Sequence, residues 1–186
     1  PLEILVTASG KDKSALTRED FVAVDSSGQL LQGHEANGRK SSAETLLHCL
    51  IAGSLPDVGA ILHTHSTWGT ILSRQALASP QTLGAIRIEG YEMLKGLEGI
   101  TTHDTAIDLP VFQNSQDMVE LSDRIREVLI SPESGPPEAS PHHGFLLSGH
   151  GLYTWGKTLA EARRHIEIFE FLFEVIAQEK LLARVP

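Results

Sequence analysis

GAILHTHSTWGT, residues 59–70, contains an apolar run that ends in two histidines one residue apart. The apolar and β-branched residues predict a buried strand, and Ser66 is a typical N-cap for a helix that follows directly. Side chains alternate between the two faces of a strand, so His63 and His65 project to one side while Thr64 points away. The stretch therefore predicts two imidazoles directed at the same point.

Strands and helices alternate along the rest of the chain. A capping box from Ser41 to Glu44 predicts a helix that ends near Gly53, and Thr158 begins a helix with an apolar stripe. One further helix is predicted in SQDMVELSDRIREVLI. Strands are predicted in LEILVTASG, AIRIEGY, AIDLPVF and GFLLSGHGLYTWG, with two short strands in DFVAVDSSGQLL. The 186 residues suffice for one domain of α/β class.

Composition restricts the partners. The chain has 24 acidic and 15 basic side chains and a formal net charge of −9, which disfavours nucleic acid because phosphate backbones select basic surfaces. No apolar run approaches the ~20 residues of a membrane span. The single Cys49 excludes an internal disulfide, and no signal-peptide pattern is present at the N-terminus. We therefore expect a cytoplasmic protein that binds neither nucleic acid nor membrane.

His150 is the third candidate ligand. It ends the apolar strand in FLLSGHGLYTWG, and the flanking Gly149 and Gly151 would let the backbone approach closely. Three histidines leave the fourth position of a tetrahedral zinc ion to water or substrate, which is typical of a catalytic site. Spacing alone leaves open the alternative that each imidazole is hydrogen-bonded within the core.

The other six histidines are weaker ligand candidates. Two lie in predicted helices and are expected to be packed or solvated, two lie in a Pro-rich loop, and two have no partner that spacing identifies. The helical pair is His48 and His165, the loop pair is His142 and His143, and the pair without a partner is His34 and His103.

The segments GAILHTHS and GHGLYTWG resemble the class II aldolase/adducin family, in which two histidines of the first and one of the second hold zinc. The resemblance also includes three earlier segments, which occur in the family's order: TASGKD, LTREDFVAVD and KSSAETLLH. It therefore covers nearly the whole chain. It implies one Zn²⁺ per subunit, held by His63, His65 and His150. It also implies a mostly antiparallel central β-sheet flanked by α-helices, and a homotetramer with sites near subunit interfaces.

Family members normally begin with a helix and a Gly-rich loop that contributes to phosphate binding. Neither is recognised in this sequence, so residues 1–186 are expected to form a single domain of this type without them. Part of the phosphate site then has no assigned residues.

YEMLKGL, residues 91–97, resembles the motif that carries the catalytic acid/base of the methylthioribulose-1-phosphate dehydratases of methionine salvage, which places that role on Glu92. Without the motif, Glu92 would be interpreted as a solvated surface carboxylate. The family's aldolases lack the motif and use a glutamate in a Ser-Ser-Glu segment, which matches Glu44 here. The resemblance thus implies a zinc-dependent lyase acting on 5-methylthioribulose 1-phosphate, in which Glu92 acts alone, with Glu44 or with water.

Two other functions stay open at this point. One is a sugar-phosphate aldolase or epimerase of the same family, which would use the same metal site. The other is a non-catalytic interaction module like the adducin head, although such a module has no need for the three histidines together with Glu92.

Phosphate contacts are predicted in two segments. TASGK supplies Ser9, backbone N–H groups around Gly10 and the cation Lys11. Ser42 lies at a predicted helix N-terminus, where free N–H groups and the helix dipole favour an anion. The alternative is a plain turn at Ser9-Gly10 and an ordinary cap at Ser42.

Overall fold

The structure is a computed structural model that describes residues 2–33, 38–77, 81–130 and 143–183. Its contacts divide the chain into two compact units. The first contains Pro1–Pro56 and Ser115–Arg126, and the second contains Asp57–Asn114 and Glu127–Pro186.

The first unit is built on a two-stranded sheet and one helix. Strands β1 (Ile4–Thr7) and β2 (Phe21–Val24) pair antiparallel, and α1 spans Thr45–Ser54. A short 3-10 helix, Arg18–Asp20, precedes β2. The inward residues of both strands pack against Cys49 of α1 in a small apolar core.

Two local predictions for the first unit are wrong. α1 begins at Thr45, because the Ser42 carbonyl accepts the backbone N–H and the hydroxyl of Thr45 and thereby forms a turn ahead of the helix. Its end at Ser54 agrees with the predicted end near Gly53. The second strand expected in DFVAVDSSGQLL is reduced to one bridge between Val24 and Leu30, since the Asp25 carboxylate holds the intervening residues in a turn.

His48 in α1 makes stability depend on pH. Burial, with the nearby Lys13 charge acting in the same direction, lowers the pKa of His48 from 6.5 to about 4. The unfolded chain therefore binds more protons than the folded chain between about pH 4 and 6.5, so the free energy of unfolding should fall as pH falls through that window. Urea unfolding of wild type and His48→Gln across this range tests it. Equally steep losses in both proteins would contradict the assignment.

The second unit contains a five-stranded sheet in the order β3-β7-β6-β5-β4. Neighbouring strands are antiparallel except β5 and β6, which are parallel. The prediction of a mostly antiparallel sheet within an α/β fold is therefore confirmed, and the sheet is mixed. The strands are β3 (Ala60–Thr64), β4 (Leu83–Glu89), β5 (Ala106–Phe112), β6 (Gly144–Leu147) and β7 (Leu152–Gly156).

Helices α2 (Thr67–Ala76) and α4 (Leu159–Leu182) share one apolar core with the sheet. The Ser66 and Thr158 hydroxyls cap them as predicted, each accepting a backbone N–H of the first turn. The remaining helix, α3 (Met118–Ile130), includes residues of both units. Among the described helices, none combines the length and apolarity that a membrane crossing requires.

Candidate functional site

His63 is held in one orientation by the strand beside it. It lies opposite Tyr153 in the β3–β7 pair, and the two rings stack with centroids 4.0 Å apart. Its Nδ1 is 2.9 Å from the carbonyl oxygen of Leu152. Because a carbonyl only accepts, Nδ1 carries the proton and Nε2 presents its lone pair. This backbone contact is the kind that fixes the tautomer of a metal-binding histidine.

The three predicted histidines come together at one edge of the second unit. The ring centroids are 4.7 Å apart for His63 and His65, 5.0 Å for His63 and His150, and 4.7 Å for His65 and His150. The Nε2 atoms of His63 and His65 are 2.8 Å apart. Their ligand atoms all lie within 4.8 Å of one another.

This donor set fits a divalent metal. Zinc binds imidazole nitrogen at ~2.0–2.1 Å, so tetrahedral ligands lie about 3.3 Å apart, and the 2.8 Å between the Nε2 atoms of His63 and His65 is near that value. Neutral imidazole also suits several other divalent ions. The histidines could therefore hold a metal ion, and His65, the exposed member, leaves the cluster open to solvent.

Helix α2 positions the turn that carries His150. The Thr70 hydroxyl donates to the His150 carbonyl at 3.1 Å, and the Ser73 hydroxyl accepts the Gly149 N–H at 3.0 Å. Gly149 has φ +68°, a conformation that glycine adopts without strain. Since Ser66, which caps α2, directly follows His65, one strand–helix unit supports all three imidazoles.

Gly151 is required by the close approach of β3. A Cβ on Gly151 would lie 2.1 Å from the Thr64 carbonyl oxygen and 3.0 Å from ring carbons of both His63 and His65. Gly151→Ala is therefore expected to displace the imidazoles, weaken metal binding about 10-fold or more, and lower the melting temperature.

The matched control is Gly53→Ala, because a Cβ there meets no atom within 4 Å and alanine favours the helix. Metal titration and thermal unfolding of both variants test the assignment. Wild-type metal affinity in Gly151→Ala would show that the packing around the histidines is not needed.

Glu92 begins a short 3-10 helix, Glu92–Gly96, after β4. Its carboxylate is exposed and has two partners, Lys95 Nζ at 2.7 Å and His103 Nδ1 at 3.2 Å. The hydrogen bond from Lys95 holds the pKa of Glu92 below its ordinary value. At neutral pH Glu92 is thus a carboxylate, the form that a general base requires.

The segment around Glu92 is firmly anchored to α4. The Tyr91 hydroxyl donates to Glu179 at 2.6 Å, and Leu94 is buried in the core. A Cβ on Gly96 would lie 2.5 Å from Ile168 Cδ1, so the glycine lets this segment pack closely on the helix.

Within one chain, Glu92 and the histidines lie at opposite ends of the strands. β3 ends at Thr64 beside the first residue of β7, Leu152. The last residues of β6 and β5 lie at this same end of the sheet, and so does the first residue of β4, Leu83. Glu92 follows the last residue of β4, Glu89, and seven strand residues span about 20 Å.

The 3-10 helix that carries Glu92 also packs on the face of the sheet opposite to His63. The Thr64 hydroxyl donates to Glu170 of α4, so Thr64 faces that helix. Its neighbour His63 faces the other side and stacks on Tyr153. The 3-10 helix after β4 contributes Leu94 to the core on the α4 side. The structure therefore does not bring Glu92 to the histidines of its own chain.

The predicted phosphate residues lie in the first unit. A bridge between Ala8 and Ser41 brings the Ser9-Gly10 turn beside the segment that contains Ser42. The N–H of Ser9 donates to the Lys40 carbonyl, and the Ser42 hydroxyl accepts the Glu44 N–H at 3.3 Å. Gly10 has φ +75°.

Lys11 is engaged in an ion pair. Its ammonium is 2.8 Å from Asp20 and holds the pKa of that carboxyl well below its usual range. Glu44 precedes α1 at the N-cap position without a side-chain capping hydrogen bond. Its catalytic role stays a prediction.

The other described histidines lie in the elements predicted for them, and two of them, His143 and His103, make contacts that the sequence did not predict. His48 and His165 are helical, and His165 Nδ1 contacts the Trp155 carbonyl at 2.8 Å. His143 is buried, with Nε2 2.7 Å from the Glu98 carbonyl oxygen, and His103 contacts Glu92. The last two, His34 and His142, lie outside the described residues.

The family model for the class II aldolase and adducin N-terminal domain matches residues 1–177. The chain belongs to this family. The methylthioribulose-1-phosphate dehydratase of Xanthomonas campestris pv. campestris (strain 8004) is 48% identical over 169 residues, which are 90% of this chain and 70% of that protein. The enzyme of the same name from Serratia proteamaculans (strain 568) is 45% identical over 179 residues, 96% of this chain and 79% of that protein.

Two solved structures of L-fuculose 1-phosphate aldolases share the fold. An L-fuculose 1-phosphate aldolase matches with TM-score 0.69 at 20% identity, over 97% of this chain and 71% of that one. The L-fuculose-1-phosphate aldolase from Thermus thermophilus matches with TM-score 0.63 at 19% identity, over 98% of this chain and 80% of that one. The family fold predicted from GAILHTHS and GHGLYTWG is thus confirmed.

Proposed function

We propose that this protein is a zinc-dependent dehydratase. It converts 5-methylthioribulose 1-phosphate to 2,3-diketo-5-methylthiopentyl 1-phosphate and water, a reaction of methionine salvage. The observation that carries the proposal is the convergence of His63, His65 and His150, with the His63 tautomer fixed by the Leu152 carbonyl. The substrate follows from the curated relatives, which are dehydratases of that name at 45–48% identity.

The histidines are the residues that would hold the metal. A bound zinc ion supplies a Lewis acid that polarises the ketose carbonyl and makes the neighbouring C3 proton more acidic. The protein's part is orientation: His63 is fixed between Tyr153 and the Leu152 carbonyl, and α2 fixes the backbone of His150.

Glu92 is the proposed acid/base. Its carboxylate removes the C3 proton, the C4–O bond breaks, and the hydroxyl departs as water with a proton that the glutamic acid returns. The resulting enol tautomerises to the diketone. Glu44 is the proposed second group if the two proton transfers are divided.

We assign Glu92 to a neighbouring copy of the chain. One chain holds the histidines and Glu92 at opposite ends of the strands, and the segment that carries Glu92 packs on the face opposite to His63. A closed oligomer can place one copy's Glu92 against another copy's histidines, since symmetric interfaces repeat such a contact for every subunit. A homotetramer is the proposed assembly, and the exposure of Glu92 is compatible with an intersubunit role.

Phosphate binding is proposed for Ser9, Gly10, Lys11 and Ser42. The Ala8–Ser41 bridge, which places the two segments side by side, supports this. Lys11 is paired with Asp20, and its ammonium has three N–H donors, so it can contact a phosphate while it keeps that ion pair.

The family model matches residues of both compact units, which supports treating residues 1–186 as one domain. The substrate is a small sugar phosphate, and the proposed location is the cytoplasm.

Turnover of 5-methylthioribulose 1-phosphate by the chelated and zinc-reloaded protein tests the function. Diketone formation that requires zinc supports it, and His65→Ala, which lacks one proposed ligand, is expected to form no diketone. An untouched substrate together with cleavage of L-fuculose 1-phosphate would instead indicate the aldolase. No bound divalent ion and no activity after zinc addition would favour an interaction module.

A further inference from the structure

We propose that His103 is a positioning residue for the reaction, acting by orienting the carboxylate of Glu92. This inference rests on the proposed function, because it needs Glu92 to be the acid/base. His103 lies outside the YEMLKGL motif, eleven residues after Glu92. The two residues nevertheless meet in space, with His103 Nδ1 3.2 Å from Glu92 Oε2.

The two oxygens of Glu92 have separate partners. Lys95 contacts Oε1 and His103 contacts Oε2. Two contacts at different oxygens fix both the position and the rotation of a carboxylate, whereas one contact leaves it free to rotate about the partner. Each oxygen keeps a further lone pair for the substrate proton, so this hold is compatible with proton transfer.

The backbone keeps His103 in place. Residues 90–105 connect the antiparallel strands β4 and β5, and the Gly90 N–H donates to the Thr105 carbonyl at 3.1 Å. Closer to His103, the Asp104 N–H donates to the Thr102 hydroxyl at 3.1 Å. The loop therefore returns to the start of the Glu92 segment. Glu92 and His103 belong to one connection, so a subunit would deliver both together.

The geometry predicts which substitution retains the function. The side-chain amide nitrogen of asparagine lies at nearly the same distance from the backbone as Nδ1 of histidine, so His103→Asn keeps a donor for Glu92. His103→Ala removes it. Because the side chain is exposed, neither change should prevent folding.

Steady-state kinetics of the zinc-loaded enzyme test this. His103→Ala is expected to lower kcat about 10- to 100-fold with KM changed less than about threefold, since a misplaced acid/base affects the transition state more than binding. His103→Asn is expected to recover kcat to within about threefold of wild type. Arg163→Ala, which breaks an exposed ion pair with Glu167 on α4, is the control and should match wild type.

The outcomes separate the two proposals. Wild-type protein without dehydratase activity would overturn the proposed function, and the role of His103 with it. Wild-type turnover with unchanged kcat in His103→Ala, or with His103→Asn as slow as His103→Ala, would overturn the role of His103 alone.

Discussion

Glu92→Gln is expected to lower kcat about 10³-fold while the protein retains its metal. The amide cannot accept the C3 proton, and general acid–base catalysis typically contributes ~10²–10⁴-fold. Glutamine preserves the size of the side chain, and Glu92 is exposed, so stability should change little. Single-turnover kinetics and metal analysis of the same preparation measure both effects.

Glu89→Gln is the matched control for this variant. Glu89 is an exposed glutamate three residues away, paired with Arg87 at 3.0 Å. It should retain wild-type activity. If Glu92→Gln turned over within tenfold of wild type, the acid/base would have to be another residue, and Glu44→Gln would be the next variant to measure.

Mixing two inactive variants is expected to restore activity. His65→Ala lacks a proposed metal ligand, and Glu92→Gln lacks the acid/base. If each site takes its histidines from one copy and Glu92 from the next, random assembly of equal amounts gives about a quarter of sites with both intact. Refolding or coexpressing the two variants together and assaying the mixed oligomer measures this fraction.

The control mixes wild type with the double variant His65→Ala/Glu92→Gln. It measures the activity that remains when wild-type subunits are diluted with subunits that lack both residues. If both residues served the same chain's site, no mixture of the single variants could contain an intact site. Activity that stays at background in a verified mixed oligomer would therefore refute the intersubunit assignment.

Local sequence patterns are enough to predict part of the histidine cluster. Strand alternation is enough to predict that His63 and His65 share a side, and the structure places their Nε2 atoms 2.8 Å apart. The close approach that a glycine permits is the reason to single out Gly151, and a Cβ there would indeed meet the Thr64 carbonyl. The contact of His63 with the Leu152 carbonyl depends on β3–β7 pairing, which no local pattern specifies.

The position of Glu92 could not be predicted for a different reason. The motif YEMLKGL identifies a residue type and a local 3-10 turn, whereas the distance to the histidines depends on strand order. That order is β3-β7-β6-β5-β4, and it includes one parallel pair, β5 and β6, whose strands are joined by a long connection. The contact between Glu92 and His103 likewise depends on the path of the loop that connects β4 and β5, whose two ends are joined by a hydrogen bond from the Gly90 N–H to the Thr105 carbonyl.

The start of α1 shows where local signals compete. Ser41 and Glu44 have capping-box spacing. The Ser42 carbonyl, however, accepts hydrogen bonds from the N–H and the hydroxyl of Thr45, and the helix begins only at Thr45. Several polar residues in a row offer more than one way to satisfy the backbone, and long-range pairing of Ser41 with Ala8 selects among them.

The most direct test of the central claim follows the bond between C3 and C4 of the substrate. With 5-methylthioribulose 1-phosphate labelled with ¹³C at both carbons, carbon NMR of the zinc-loaded reaction reports whether the two labels remain coupled. The dehydratase predicts a diketone in which C3 and C4 stay directly bonded and the ¹³C–¹³C coupling persists. Loss of that coupling, with the labels divided between dihydroxyacetone phosphate and a methylthio aldehyde, would show aldol cleavage and contradict the proposal.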